Sequence, residues 1–146
     1  MGANLMTIPV LGGRQIKVPF KNRGEIRRSL KQAREVSRLK PQEIAQWLKA
    51  YGPGLKPCPL EYATTVHAQI CSFDVECQGQ RGCLLRSIAI TIYCARQGYG
   101  LTWCSGFALN PFRAHAWVET GGTPVGENPE VKSYQRVLSL ALSEGH

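Results

Sequence analysis

No stretch of this sequence stays apolar for long. The longest near-apolar run, residues 88–95, falls far short of the ~20 residues that a membrane-spanning helix requires. Nor do the first residues, Met1-Gly2-Ala3-Asn4-Leu5-Met6, join a charged leader to an apolar block and a small-residue cleavage site, so the expectation is a soluble cytoplasmic protein without a signal peptide. The six cysteines (58, 71, 77, 83, 94 and 104) come with no Cys-x-x-Cys or His-x-x-x-His element, which argues against zinc. In a cytoplasmic chain they are expected to be reduced and mostly buried, which argues against a disulfide scaffold. Cys94 lies about three helical turns beyond Cys83, ~16 Å away, too far to bridge to it. No motif calls for a cofactor, and internal repeats and low-complexity tracts are absent. At 146 residues, the chain is expected to be one domain, 1–146, able to bury roughly 68–70% of the surface its unfolded chain would expose.

Negative charge is scarce in one half. The chain carries a net +8, but residues 1–60 hold twelve Lys/Arg against three Glu, a net +9, leaving −1 for residues 61–146. The basic half could attract an acidic partner, and nucleic acid is the first candidate such a charge raises. Against that stand few aromatics (Phe20, Trp47, Tyr51), no recognisable nucleic-acid motif, and basic residues on the polar face of an amphipathic helix. A solvated helix face and a docking surface for an acidic peptide or protein both fit.

Periodicity divides the chain into helices followed by strands. Residues 1–13 read as loose or extended and 14–20 as strand-like. Ile26, Leu30, Ala33 and Val36 mark a helix over 24–39, and Pro41 opens a second that stops at Tyr51-Gly52-Pro53-Gly54. Pro57-Cys58-Pro59 reads as a connector. Residues 61–73 suit a helix in which His67 is expected to be a packed or surface group. Gln78-Gly79-Gln80-Arg81-Gly82 reads as a loop leading into a helix over 83–97, apolar nearly all round and therefore central, with Gly98 at its end. The period then changes to two over 101–109; a turn at Asn110-Pro111-Phe112, a strand through His115, a turn at Gly121-Gly122 and a return strand around Val125 follow. Leucines at 138, 140 and 142 favour a final strand. Helices first and an antiparallel sheet afterwards define an α+β fold with a basic, mainly helical part (1–60) and a core (61–146).

Chemistry points to Cys83. Acyl transfer by cysteine needs a thiolate, a base, a group that orients the imidazole and donors for the oxyanion. Cys83 sits at a predicted helix start after a glycine, where unpaired N–H groups and the helix dipole favour the thiolate. Arg86, one turn along, could lower the thiol pKa further or serve structure alone. His115, held on a strand, is the candidate base. For the third member, Asp74 is the only aspartate and precedes the nucleophile; the later candidates are Glu119, Glu127, Asn128 and Glu130. If Gly121-Gly122 forms a two-residue hairpin, Asn128 falls opposite His115 and Glu127 opposite Ala116. An odd loop or a bulge moves Glu127 opposite Trp117, diagonal to His115. Both remain open; a carboxylate stabilises an imidazolium more than an amide does, which favours Glu127. Oxyanion donors would be the Cys83 N–H and the side-chain amide of Gln80 or Gln78.

Cys83-Leu84-Leu85-Arg86-Ser87 and Pro111-Phe112-Arg113-Ala114-His115-Ala116-Trp117-Val118-Glu119, followed by Pro124-Val125-Gly126-Glu127, together resemble the lasso-peptide leader peptidases, bacterial cysteine proteases of the transglutaminase-like superfamily. The resemblance is specific over about 77–127. It implies a papain-like arrangement in which the nucleophile heads a central helix packed on an antiparallel sheet, with Cys83 as nucleophile, His115 as base and Glu127 at a position where the family often has aspartate. It thereby implies an odd loop or bulge after Glu119. The implied reaction is removal of the leader from a precursor peptide, together with a leader-recognition protein and upstream of a macrolactam cyclase. The basic N-terminal half, with Arg27, Arg28 and Arg34, would be the docking surface. Two alternatives stand beside it: an acyltransferase or transglutaminase using the same Cys–His site, with an amine rather than water resolving the thioester, and a basic nucleic-acid-binding module.

Overall fold

The computed structural model describes residues 16–52, 54–79 and 82–143. Helix α1 spans Phe20–Val36 and α2 spans Pro41–Lys49. The first starts a turn earlier than its apolar stripe suggests. Pro19 presets the backbone at its entry, and Ile16 gives its N–H to the Ser72 hydroxyl (3.0 Å) rather than to a strand partner. The strand expected over 14–20 is therefore not formed in its described part; residues 14 and 15, like the expected loose stretch 1–13, lie outside the described residues. At α2, Glu43 Oε1 reaches back to accept the Lys40 N–H (2.9 Å), satisfying one of the donors that a helix start leaves free.

A two-residue strand, β1 (Lys56–Pro57), pairs in parallel with β2 (Tyr99–Gly100) and is followed by α3 (Leu60–Phe73) and a 3-10 turn, Val75–Cys77. Helix α4 (Cys83–Arg96) is the axis of the molecule. It packs against α1 and α3 on one side and strand β4 on the other. Ile88, Ile90 and Ile92 have essentially no exposed surface, each contributing ~1.5–3 kcal/mol by leaving water. Ser87 on its sheet side accepts the Trp103 indole N–H (3.0 Å), which fixes the helix to β3. Gly98 takes a positive φ (95°), the left-handed position that ends the helix.

The sheet consists of β3 (Thr102–Ala108), β4 (Arg113–Thr120), β5 (Thr123–Pro124) and β6 (Gln135–Ala141), in the order β5-β4-β3-β6 and antiparallel throughout. The chain is thus α+β, with helices first and the central helix on an antiparallel sheet. A core built from Ile26, Leu30, Ile44 and Leu48 of the basic part is continuous with Ile70, Ile88, Trp103 and Val118 of the rest. A smaller cluster on the other face of the sheet joins Cys104, Trp117 and Val131, the last from a 3-10 turn at Pro129–Ser133.

The β4–β5 connection differs from the one the family resemblance implies. Thr120 pairs with Thr123 and Glu119 with Pro124, so the hairpin loop is Gly121-Gly122 alone, without the odd residue or bulge. Both glycines have positive φ (59° and 83°), as a tight two-residue turn requires. The pairing continues through the Val125 N–H to the Val118 carbonyl (2.9 Å) and ends at Gly126, where φ is +64°.

Candidate active site

Cys83 heads α4 because Gly82 allows it to. A β-carbon on Gly82 would lie 1.7 Å from the Glu76 carbonyl oxygen, so only glycine lets the helix start seat itself on the 3-10 turn below. Arg86, buried one turn into the helix, locks the same junction by donating to the carbonyls of Cys77 (2.8 Å) and Gly79 (3.1 Å). Its outer nitrogen stands 3.9 Å from Glu127 Oε2. Arg86 therefore joins the loop that precedes the nucleophile to the carboxylate that faces the histidine.

His115 and Glu127 meet although the strand ladder does not bring them opposite one another. The Val125–Val118 bond shows that β4 turns the backbone groups of residue 118 toward β5; by alternation, those of Ala116 point the same way. Because β5 departs at Gly126, that edge of β4 is open at Ala116. His115 and the Ala116 N–H at this edge both favour the charged form of the Cys83 thiol. The left-handed Gly126 swings Glu127 out of the strand path so that its Oε1 sits 2.6 Å from His115 Nε2. This leaves Nδ1 for the thiol. Trp117 stacks nearly parallel to the His115 ring (centroids 5.6 Å, 16°), and Tyr134 packs at 5.5 Å, holding the imidazole in one orientation.

The electrostatics follow from that arrangement. Burial alone would raise the Cys83 thiol, but hydrogen bonding and charge from His115, the Ala116 N–H and the Arg86 charge together bring it below the ordinary thiol value. Burial alone would lower His115; hydrogen bonds and charge from Cys83 and Glu127 instead raise it to about 9. The two shifts favour the charged forms, thiolate on Cys83 and imidazolium on His115. Among the other cysteines, burial raises Cys71 to about 12 and Cys104 to about 11, and raises Cys77 too. Cys94 is raised first by its hydrogen bond with Cys58. Cys58 is lowered, but its partner is the Cys94 thiol rather than an imidazole.

The remaining candidates are held elsewhere. Asn128 Oδ1 caps the 3-10 turn by accepting the Glu130 N–H (2.9 Å), and Glu130 is exposed in that turn. Glu119 is buried among the Trp117 indole N–H (2.9 Å) and two Arg136 nitrogens (2.8 and 3.2 Å). Asp74 accepts the Glu76 N–H and binds Arg34. Gln78 donates its amide to the Cys71 carbonyl (2.8 Å), which ties it to α3 rather than to an oxyanion; Gln80 lies outside the described residues.

His67 is a packed group, as expected, but its place is unexpected. It is buried beneath Gly126, and burial, assisted by the nearby Arg86 charge, lowers its pKa to about 3. Because this folded value lies below the unfolded 6.5, its contribution to stability is complete above pH 6.5 and is lost as pH falls toward 3. At pH 5 the loss is roughly 2 kcal/mol, or ~4–8 °C of Tm. His67→Phe is expected to narrow the Tm difference between pH 7 and pH 5 by about that amount in a thermal melt; an unchanged difference would refute the assignment.

Residues 27–139 match the family model described as the transglutaminase-like superfamily. That span covers more than half of the chain, which belongs to this superfamily of largely cysteine-dependent enzymes, among them peptidases and acyltransferases. No curated protein and no solved structure matches it. Among the described residues, no helix is long and apolar enough to cross a membrane, and no group of His, Cys, Asp and Glu side chains is arranged to hold a metal ion.

Proposed function

We propose that this protein is a cysteine peptidase that removes the leader from a lasso-peptide precursor, acting with a leader-recognition protein and upstream of a macrolactam cyclase. The observation that carries the peptidase reading is the Cys83–His115–Glu127 assembly, in which a thiol with a lowered pKa, an imidazole with a raised one and a carboxylate on that imidazole meet within one transglutaminase-like chain. The motif resemblance around Cys83 and His115 supports the choice of substrate.

In this reading Cys83 Sγ attacks the scissile carbonyl, His115 gives its proton to the leaving amine, and a thioester forms. Water, deprotonated by His115, then releases the acid. Glu127 keeps the imidazolium oriented through both steps, and Arg86 anchors Glu127 from its other oxygen. Incubation of the precursor with the recognition protein, wild type against Cys83→Ala, read by mass, tests this. Release of leader and core by the wild type alone supports it; core release by the alanine variant defeats it. Adding a primary amine distinguishes the acyltransferase alternative, which would give a leader–amine adduct in place of the free acid.

The basic face of α1 is our proposed docking surface for the recognition protein. Arg34 does not belong in its test. It bridges Asp74 (2.5 Å) and Glu76 (2.8 Å), so reversing its charge would disturb the joint between α1 and the turn beneath Cys83. Arg28 and Lys31 are exposed, Arg28 pairing only loosely with Glu25 (3.6 Å). Reversal of both is expected to lower partner-dependent cleavage ~10-fold, with most of the effect lost at high salt as screening sets in. Equal cleavage by variant and wild type at low salt would remove this surface from consideration.

A further inference from the structure

The peptidase chemistry makes no use of one buried imidazole, that of His67, and the path of Glu127 to His115 depends on a turn beyond the end of the strand. These two facts meet at Gly126. A β-carbon there would lie 2.4 Å from His67 Nε2, 2.5 Å from Cε1 and 2.7 Å from Cδ2, so the ring edge presses against the glycine backbone itself. Gly126 also has φ +64°, a conformation that costs other L-residues roughly 1–2 kcal/mol.

We propose that His67 is a positioning residue: its ring is the platform over which the Gly126 turn is folded, and so sets the distance between Glu127 and His115. The inference rests on the Cys83–His115–Glu127 reading and adds a fourth residue to it, from α3.

Contact and shape, rather than hydrogen bonding, carry the effect. Among the described residues, His67 Nε2 is buried with no hydrogen-bond partner, and Nδ1 has only the Cys71 sulfur at 4.0 Å. The ring also stays neutral across the working range, so it brings no charge near Glu127. A proton relay would need a partnered nitrogen, whereas a platform needs only a rigid flat edge. The ring and the glycine are mutually required. A larger residue at 126 has nowhere to go, and a smaller one at 67 leaves the turn without support.

The test reads Cys83 itself, so it needs no substrate. Trypsin releases Gly82–Arg86 as a peptide whose single cysteine is Cys83, while Cys71 and Cys77 fall in the preceding peptide and report unfolding if they become reactive. Alkylation by iodoacetamide across pH gives the apparent Cys83 pKa. The charged groups that bear on it are His115 and Arg86 directly, and Glu127 through His115. A wild-type Cys83 that titrates like a free thiol would defeat the triad reading before any variant is made.

Given a lowered wild-type value, Gly126→Ala is expected to raise it by about one unit, a ~10-fold slower alkylation at a pH below both values. His67→Ala should raise it by about half a unit, ~3-fold, and His67→Phe should stay at the wild-type value. In the double variant His67→Ala/Gly126→Ala the new methyl enters the space the ring has left. Its alkylation should be at least ~3-fold faster than that of Gly126→Ala alone, the opposite of additive losses. Additive losses, or a wild-type rate in both single alanine variants, would overturn the proposal. If Gly126→Ala unfolds, the two His67 variants decide alone. Loss in alanine with retention in phenylalanine supports the platform; equal behaviour of the two, whether both lose or both retain, overturns it.

Discussion

Replacing Cys83 by alanine is expected to abolish turnover, a loss of roughly 10⁶-fold, the scale seen when a covalent nucleophile is deleted from a triad. The expectation follows from the environments of the six thiols. Cys71, Cys77, Cys94 and Cys104 are buried and held as thiols, and Cys58 is paired with another thiol, so no neighbouring sulfur is prepared to substitute. Fold should persist, because the helix start is held by the Arg86 bonds to Cys77 and Gly79 and by the seating of Gly82, none of which involves the Cys83 sulfur. Product mass measures the first part and near-UV circular dichroism the second. Residual cleavage above ~1% of wild type with an intact spectrum would place the nucleophile elsewhere.

The second large effect belongs to Glu127. Glu127→Gln keeps size and removes charge, and is expected to reduce kcat by up to ~10⁴-fold, the magnitude found when the orienting carboxylate of a serine–histidine triad becomes an amide. A pH profile gives the more specific reading. In the wild type the imidazolium persists up to about pH 9, so activity that requires it should fall as pH rises through that value. Without the carboxylate, His115 loses part of what raises it, and the alkaline limb should move down toward 6.5. The same sign governs folding: the stability that His115 draws from its partners is fully present below 6.5 and is lost as pH rises through about 9. Asn128→Ala provides the contrast. It removes only the cap of a 3-10 turn, worth ~1 kcal/mol, and should leave the alkaline limb where it was. If Asn128→Ala shifts that limb and Glu127→Gln does not, the third role belongs to the amide.

Residues whose environment is local were the easiest to read. The stripe of Ile26, Leu30, Ala33 and Val36 predicted α1 because a helical period depends on neighbours within a turn or two, and these four residues are buried. The apolar run after Cys83 predicted a central helix for the same reason, and the change to period two after Gly98 predicted β3 and β4. The strand expected near Phe20 failed because a few alternating residues carry no record of their hydrogen-bond partners. Here the Ile16 N–H goes to Ser72, far along the chain. The role of Arg86 was also hidden, since spacing shows that it shares a helix with Cys83 but not that two loop carbonyls and Glu127 converge on it.

Glu127 shows most clearly where sequence reasoning stops. Its selection on charge and on family resemblance agrees with the contact to His115, but the register argument attached to it does not. The loop is even, and the side chain arrives by a left-handed turn after the ladder has ended. By itself, the sequence determined the order of helices and strands, the placement of Cys83 at a helix start and of His115 on a strand, because each depends on periodicity, breakers and dipoles within a few residues. Only the tertiary structure decided which acid faces His115, which edge of β4 is open to the thiol and what lies beneath Gly126. Those outcomes depend on a backbone dihedral and on close packing between α3 and the end of a strand, contacts between segments far apart in the chain that no local pattern encodes.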